Sequence, residues 1–382
     1  MPELFLTIFF ISILLFFLGT GVWVAISMIG VSAIGMIIFT SRPVGDAMAT
    51  TIWGTSSSWT LTALPLFVWM GEILFRTKLS ENLFKGLSPW MSRLPGGLIH
   101  VNVVGCALFA AISGSSAATV ATVGKMSIPE LRKRKYPEKL ILGSLAGSGT
   151  LGLLIPPSII LIIYGVTVQE SIAKLFIAGI LPGIMIAIFF MFYVIGWSLV
   201  NKKEMPKVTE TFSFSKKIKD SGQLIPVIVL ITAVIGSIYA GIATATEAAS
   251  LGVVGALILS FFQKSLTREN FKLSLLGATK TSCMIAFILA GSSFLSLAMG
   301  FTGLPRNLAI WIQEMNLSPY LLIFVLTIFY IILGMFLDGI SAVVLTMAII
   351  EPMIRQAGFD MIWFGIFLVI VVEMAQITPP VG

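Results

Sequence analysis

The sequence has little charge, a single histidine and only two cysteines. Charged residues make up 11% of the 382 residues and hydrophobic residues 57%, whereas a soluble domain is about one quarter charged. A water-soluble globular protein is therefore excluded. The histidine and the distant Cys106 and Cys283 supply neither a metal-ligand cluster nor a disulfide framework. Because no nucleophile motif has an obvious base, the sequence predicts no catalytic residues and no enzyme.

Long apolar stretches replace the missing charge. Examples are Leu4 to Gly19, Phe176 to Val200 and Leu321 to Leu337, and a helix needs ~20 such residues to cross a lipid bilayer. The first stretch follows Glu3 rather than a basic region and has no small-residue cleavage site after it, so we interpret it as a retained helix. The fold class predicted is an all-α polytopic membrane protein.

Positive charge is concentrated in four polar segments. Of the 24 Lys and Arg residues, Arg76–Gly97 and Gln263–Lys280 hold four each, and Lys125–Lys139 and Asn201–Gly222 hold six each. Basic loops stay on the cytoplasmic side of a membrane. These segments are therefore predicted to share the cytoplasmic face, with the N-terminus on the opposite face. The net charge of +7 thus reflects topology, and no nucleic-acid partner is predicted.

One apolar block, Leu98 to Val123, lies between two basic segments and is interrupted by Ser113-Gly114-Ser115-Ser116. If both flanks are cytoplasmic, the block enters the membrane and returns without crossing it. This predicts a re-entrant helical hairpin over about residues 98–125, with the Ser-Gly run at its tip. The alternative is two ordinary spanning helices that pack through small residues. The distribution of charge favours the hairpin.

An internal repeat links the two halves of the chain. Four residues of the first half recur 225 positions later in the second half. Thr77, Leu79, Asn82 and Leu83 are repeated as Thr302, Leu304, Asn307 and Leu308. The same offset carries Gly114, Ser116 and Ala117 onto Gly339, Ser341 and Ala342. Two residues are then lost, so that Tyr136 aligns with Phe359, and twenty residues later come the only Pro-Pro pairs, Pro156-Pro157 and Pro379-Pro380.

The loops of the second copy are neutral or slightly acidic, so equivalent loops are predicted on opposite faces. This makes the repeat an inverted one, an architecture found in many secondary transporters. The predicted boundaries are 1–200 for the first repeat (broken helix about 138–166), 201–222 for a cytoplasmic linker, and 223–382 for the second repeat (hairpin about 318–350, broken helix from about 360). Two hairpin tips that meet at mid-membrane predict a central site.

The residues at these positions suit a cation and an anion. Proline removes an amide donor, and the carbonyls it releases can line a cavity or coordinate a cation. The hydroxyls of Ser113, Ser115, Ser116 and Thr150 add neutral oxygens, and helix N-termini at the tips attract an anionic group. This chemistry suits sodium together with a carboxylate.

Several acids and the histidine have open roles. Asp338 and Glu373 lie in apolar runs, where acids are functional candidates, although Asp338 is equally suited to cap a helix. Glu72 lies one turn from Arg76 at a predicted membrane boundary, and Glu247 is predicted to start a helix. His100 is interpreted as structural rather than as a proton relay.

Five sequence runs resemble one family. They are AAISGSSAATVATVG (Ala110–Gly124), GSGTLGLLIPPS (Gly147–Ser158), LFIAGILPG (Leu175–Gly183), TEAASLG (Thr246–Gly252) and ITPPVG (Ile377–Gly382). In order, they are similar to the large membrane subunit of tripartite ATP-independent periplasmic (TRAP) transporters, over essentially the whole chain. The resemblance implies sodium-driven uptake of organic acids, such as dicarboxylates or sialic acids, by an elevator-like motion. It also implies two partners, an extracytoplasmic substrate-binding protein and a small membrane subunit.

The resemblance also implies site residues. One sodium ion would be framed by Ser113, Ser115, Ser116, Gly147, Gly149 and Pro156. A second would be framed by Gly339, Ser341, Thr378 and Pro379. Substrate would lie between the tips, near Ser115, Ser116, Asp338, Gly339 and Ser341. Because the family continues past the TPPVG run, and the first repeat does too, the natural polypeptide is expected to run on by roughly 40 residues.

Three other functions compete with this one. A single-component sodium–carboxylate symporter of the same architecture would need no binding protein. A channel would use two re-entrant loops to line a continuous pore. An intramembrane enzyme is the third, and it is disfavoured by the lack of catalytic groups.

Overall fold

The computed structural model describes residues 2–77, 79–206, 213–305, 307, 310 and 318–379. Within these residues the secondary structure is α-helical, apart from one 3-10 helix at Trp59–Thr62, and contains no strand. This confirms the all-α class. The α-helices are Pro2–Gly19, Val24–Phe39, Val44–Ser56, Ala63–Phe75, Leu79–Met91, Ile99–Ser113, Ser116–Lys133, Glu138–Gly149, Leu151–Leu154, Ile159–Thr167, Ile172–Val200, Phe214–Ser221, Ile225–Tyr239, Ala245–Phe262, Arg268–Thr302, Pro319–Gly334, Gly339–Gln356 and Met361–Gln376.

Helix length and apolar surface show a multi-pass membrane protein. Five spans among the described residues are long and apolar enough to cross a bilayer, and up to seven if two bent helix pairs each count as one. On Ile172–Val200, the side chains of Leu181 and Phe192 are 76% and 63% exposed. Such exposed apolar surface is matched to lipid rather than to water.

The chain forms two compact units, each assembled from separate stretches. The first-tip unit comprises Ala63–Leu161 and Ile172–Lys280. The second-tip unit comprises Met1–Thr62, Ile162–Ser171 and Thr281–Gly382. The predicted repeat boundaries at residues 200 and 223 divide the sequence differently, because each unit combines segments from both halves of the chain.

The Ile99–Ser113 helix is the centre of the first-tip unit. Twelve of its 15 residues are buried, because other helices cover it on several sides. Those helices include Ser116–Lys133, Glu138–Gly149, Leu79–Met91 and Ile172–Val200. Elsewhere in this unit, Ala63–Phe75 packs on Ala245–Phe262. A Cβ at Gly252 would lie 2.5 Å from the sulfur of Met70, so glycine permits that close approach.

Three helices form a mutually packed group in the second-tip unit: Pro319–Gly334, Gly339–Gln356 and Met361–Gln376. The hydroxyls of Tyr330 and Thr346 are 2.6 Å apart in its interior. Tyr164 donates to the carbonyl oxygen of Met361 at 2.7 Å. These buried polar groups are thus hydrogen-bonded within the unit.

Two features differ from the sequence predictions. The helix after the first tip continues through the basic segment to Lys133 rather than ending near residue 125. The predicted linker contains a short helix, Phe214–Ser221, whose Ser221 hydroxyl accepts from the indole N–H of Trp90 at 2.7 Å. Lys217 lies over the same indole at 5.2 Å. Periodicity over eight residues was too short a signal to predict this helix.

Candidate functional site

The first tip is the turn at Ser113–Ser116 that joins two contacting helices of the first-tip unit. Gly114 ends the first helix with a φ of +60°, and its N–H donates to the carbonyl of Ala110. Ser115 is the N-cap of the second helix, and its hydroxyl accepts from the N–H of Ala118. A Cβ on Gly114 would lie 2.6 Å from the carbonyl oxygen of Pro157. Both the backbone conformation and the lack of space therefore require glycine at this position.

The first tip packs directly on the glycine–proline segment, Gly147–Ser158. A Cβ on Gly152 would lie 2.7 Å from the carbonyl of Ser115 and 2.8 Å from the nitrogen of Ser116. The N–H of Ile159, just beyond the segment, donates to the carbonyl of Gly114 at 3.3 Å. The structure thus brings together the two stretches from which the sequence predicted the first sodium site.

Oxygen atoms are dense where the tip meets this segment. The hydroxyls of Ser113 and Thr119 are 2.9 Å apart, and Thr119 donates to the carbonyl of Ser115 at 2.8 Å. The hydroxyl oxygen of Ser116 is buried and has no hydrogen-bond partner within the described residues. Pro156 has no N–H, so it cannot bond the carbonyl of Gly152 one turn earlier. Thr119 was not predicted from the sequence; its position one turn after Ser115 is the signal that would have identified it.

Other predicted residues at this site have different contacts. A Cβ on Gly147 would face the ring of Phe190 at 3.2 Å, and the carbonyl of Gly147 accepts from the Thr150 hydroxyl at 2.8 Å. Gly149 packs closely against Val120, on the helix that follows the tip. Within the described part of the chain, no cluster of three or more His, Cys, Asp or Glu residues is placed to hold a metal. The oxygens available at the first tip are neutral hydroxyls and carbonyls, which are suited to a hard monovalent cation.

Helix lengths support the re-entrant interpretation of this turn. Fifteen residues of Ile99–Ser113 rise about 22 Å, whereas the hydrocarbon core of a bilayer is roughly 30 Å thick. On the returning side, the uncharged part from Ser116 to Gly124 ends at Lys125 after about 14 Å. Neither apolar arm is long enough to cross, although the position of the membrane stays a prediction.

The second tip, Asp338–Ser341, is built differently. Asp338 is exposed and caps the Gly339–Gln356 helix, since its carboxylate accepts from the N–H of Ser341 at 3.1 Å. Gly339 and Ser341 are buried. The Thr378 hydroxyl donates to the carbonyl of Met374 at 2.8 Å. Within the described residues, no hydrogen bond joins Thr378 or Pro379 to this tip, and Pro380 lies outside them.

Comparison with known proteins identifies the family. The family model described as "Tripartite ATP-independent periplasmic transporter, DctM component" matches residues 11–382. The chain belongs to the DctM family. This match confirms the resemblance found in the sequence runs. Because the family consists of transporter permeases, the intramembrane-enzyme alternative is wrong.

Curated DctM relatives align over most of the chain. The C4-dicarboxylate TRAP transporter large permease DctM of Pseudomonas aeruginosa is 31% identical over 355 residues, covering 93% of this chain and 82% of that protein. DctM of Rhodobacter capsulatus is 30% identical, covering 95% and 85%. The sialic acid TRAP transporter large permease SiaM of Vibrio cholerae is 29% identical, covering 96% and 85%. A solved structure of Neisseria gonorrhoeae MtrF overlaps with a TM-score of 0.48 at 13% identity, covering 89% of this chain and 78% of that one. That score is too low to support a fold argument.

The helices of this DctM chain place the two tips in a different register from the sequence repeat. Ser116–Lys133 and Gly339–Gln356 are both 18 residues long, and their starts, their ends and their internal prolines, Pro129 and Pro352, are all 223 positions apart. By helix position, Ser115 therefore corresponds to Asp338, because each caps its helix. Ser116 is the first residue of its helix and Ser341 the third. The offset of 225 at the tips is therefore wrong for the helices, and the two serines are not equivalent.

Proposed function

We propose that this chain is the transport subunit of a TRAP carrier that uses a sodium gradient to take up an organic acid. The first tip carries this proposal, because there the carbonyls released by proline lie near the buried Ser116 hydroxyl, which has no hydrogen-bond partner in the described part of the chain. Relatives named for C4-dicarboxylate and for sialic acid support a carboxylate substrate. The chain resides in the bacterial inner membrane with its N-terminus periplasmic, and it moves substrate by an elevator mechanism.

Each tip has its own assigned residues. Sodium is bound at the first by Ser113, Ser116, Gly147, Gly149 and Pro156, and at the second by Gly339, Ser341, Thr378 and Pro379. Substrate is contacted by Ser115 and Ser116 at the first tip and by Asp338, Gly339 and Ser341 at the second. Backbone N–H groups at the two helix starts favour the negative charge of a carboxylate.

Substrate reaches this subunit from an extracytoplasmic binding protein, and a small membrane subunit completes the carrier. The test is an omission experiment in proteoliposomes with a sodium gradient. The cognate binding protein is first screened by thermal shift against organic acids to choose the substrate. Uptake is expected only when all three proteins are present. Accumulation by this chain alone would show a single-component symporter, and ionic currents far above carrier turnover would show a channel.

A further inference from the structure

Glu373 is a buried acid that the proposed sites do not use. It lies in the Met361–Gln376 helix, and 3% of its surface is exposed. Among the described residues it is the only Asp or Glu that is buried. Its Oε1 has no hydrogen-bond partner in that part of the chain. An ionised carboxylate in such surroundings is strongly unfavourable unless a positive charge compensates it.

The basic residues of the same unit do not supply that charge. Those described are Arg42 and Arg355. The guanidinium of Arg42 lies over the ring of Phe301 at 5.3 Å. Arg355 forms ion pairs with Glu351 at 2.9 Å and with Glu170 at 3.6 Å. Both arginines are thus engaged elsewhere.

The helices that contact Met361–Gln376 carry the following titratable groups. Ile159–Thr167 contributes Tyr164, whose hydroxyl donates to the carbonyl of Met361. Pro319–Gly334 contributes Tyr320, which is 85% exposed, and Tyr330, which bonds Thr346. Gly339–Gln356 contributes the Glu351–Arg355 pair and is preceded by its cap, Asp338. The only basic group in this set is therefore the guanidinium that Glu351 and Glu170 already neutralise, so the described residues supply Glu373 with no fixed counter-charge.

Two observations relate the helix that carries Glu373 to the second tip. Gly334, four residues before Asp338, packs so closely on Ala375 that no Cβ fits between them. The offset of 223 residues that relates the helices also makes Glu373 the counterpart of Thr150. Thr150 belongs to the glycine–proline segment that contacts the first tip. Where the first repeat has a neutral hydroxyl, the second has a carboxylate.

We propose that the carboxylate of Glu373 binds one monovalent cation, either sodium or a proton, at the second tip. Bound cation removes the net charge of the buried group, which explains how an acid is retained there without a fixed partner. This rests on the proposed function, in which the cation is a coupling ion, and adds to it a charged ligand. The first site remains built from neutral oxygens.

The first test measures uptake by the complete carrier with Glu373→Gln, which preserves shape and removes the charge. If the ion is sodium, the sodium concentration for half-maximal uptake rises at least tenfold and the pH profile is unchanged. If it is a proton, the pH dependence of uptake flattens and the sodium dependence is unchanged. Glu204→Gln, at an exposed acid, is the matched control and is expected to behave as the wild type. Wild-type dependence on both ions in Glu373→Gln would overturn the proposal.

The second test needs neither a folded variant nor transport. A hydrophobic carbodiimide, which reacts with protonated carboxyls in membranes, is applied to the wild-type complex, and modification of Glu373 is measured by mass spectrometry. Modification should be suppressed by sodium but not by potassium, or should fall as pH rises. Absent modification, or modification indifferent to both ions, contradicts the proposal. A response to cations in a complex that shows no sodium-driven uptake would support this site while refuting the proposed function.

Discussion

At the scale of single residues, the first tip depends on a hydroxyl that has no hydrogen-bond partner among the described residues, and on glycines that leave no room for a Cβ. Ser116 provides the hydroxyl, and Gly114 and Gly152 provide the space. An unpaired buried hydroxyl is unfavourable on its own, so a ligand that supplies the missing contact stabilises it. These residues therefore offer the sharpest tests of the first site.

Removing the Ser116 hydroxyl should weaken sodium binding. An interaction with a charged group contributes about 1.5–3 kcal/mol, which corresponds to roughly a 10- to 150-fold change in affinity. Ser116→Ala should raise the sodium concentration for half-maximal uptake within that range. Ser127→Ala is the matched control, because Ser127 is buried on the same helix, far from the tip, and its hydroxyl also has no hydrogen-bond partner in the region that the structure describes. Equal effects of the two substitutions would argue against a ligand role for Ser116.

A methyl group at Gly152 should separate the tip from the glycine–proline segment. The added Cβ would overlap the backbone of Ser115 and Ser116, and overpacking of this kind costs about 1–3 kcal/mol. Gly152→Ala is expected to lower the apparent melting temperature of the purified protein and reduce uptake. Gly143→Ala has open space around its Cβ, and alanine is the better helix former, so this control should be neutral or stabilising. A harmless Gly152→Ala would show that the contact is not required.

At the scale of elements, the central question is whether the first tip turns back within the membrane. In a cysteine-free background, Arg93→Cys and Lys133→Cys flank the two arms at exposed positions. Both should react with an impermeant maleimide from the cytoplasmic face only. Gln169→Cys is exposed and predicted on the opposite face, so it should react only from the periplasm. Labelling of Arg93→Cys and Lys133→Cys from opposite faces would favour two spanning helices.

Packing beside the second tip gives a reciprocal prediction. Gly334→Ala should destabilise the protein by about 1–3 kcal/mol, because the new methyl meets Ala375 on the facing helix. Removing that methyl with Ala375→Gly in the same chain should recover most of the loss. Thermal unfolding of the single and double variants measures this. No recovery in the double variant would mean that the helices do not meet at this pair.

The sequence predicted the helix bounds well where a long apolar stretch is flanked by clear start or stop residues. Ile172–Val200 and the helix starts at Glu138 and Met361 lie close to their predicted positions, and Glu247 does form a capping box with Thr244. The hydrogen bond from the N–H of Ser341 to Asp338 depends on where the helix begins. The repeat of similar residues in the sequence placed that position two residues away from where the structure has it. The Phe214–Ser221 helix depends on a partner indole distant in sequence. Tertiary contacts of this kind leave no local pattern.

At the scale of the whole molecule, the compact units do not follow the sequence halves. The first tip lies in one unit and the second tip in the other, so these units do not identify an elevator domain that carries both tips. The inverted repeat and the elevator motion accordingly remain predictions. Membership of the DctM family rests instead on the match over residues 11–382.

Coupling to sodium is the central claim, and one measurement tests it most directly. The complete carrier, with its small subunit and binding protein, is reconstituted in liposomes, and uptake of radiolabelled substrate is followed under an inward sodium gradient. Substrate should accumulate above its external concentration, the accumulation should collapse when potassium replaces sodium, and Ser116→Ala should shift its sodium dependence. Accumulation of equal extent under a potassium gradient would contradict the account.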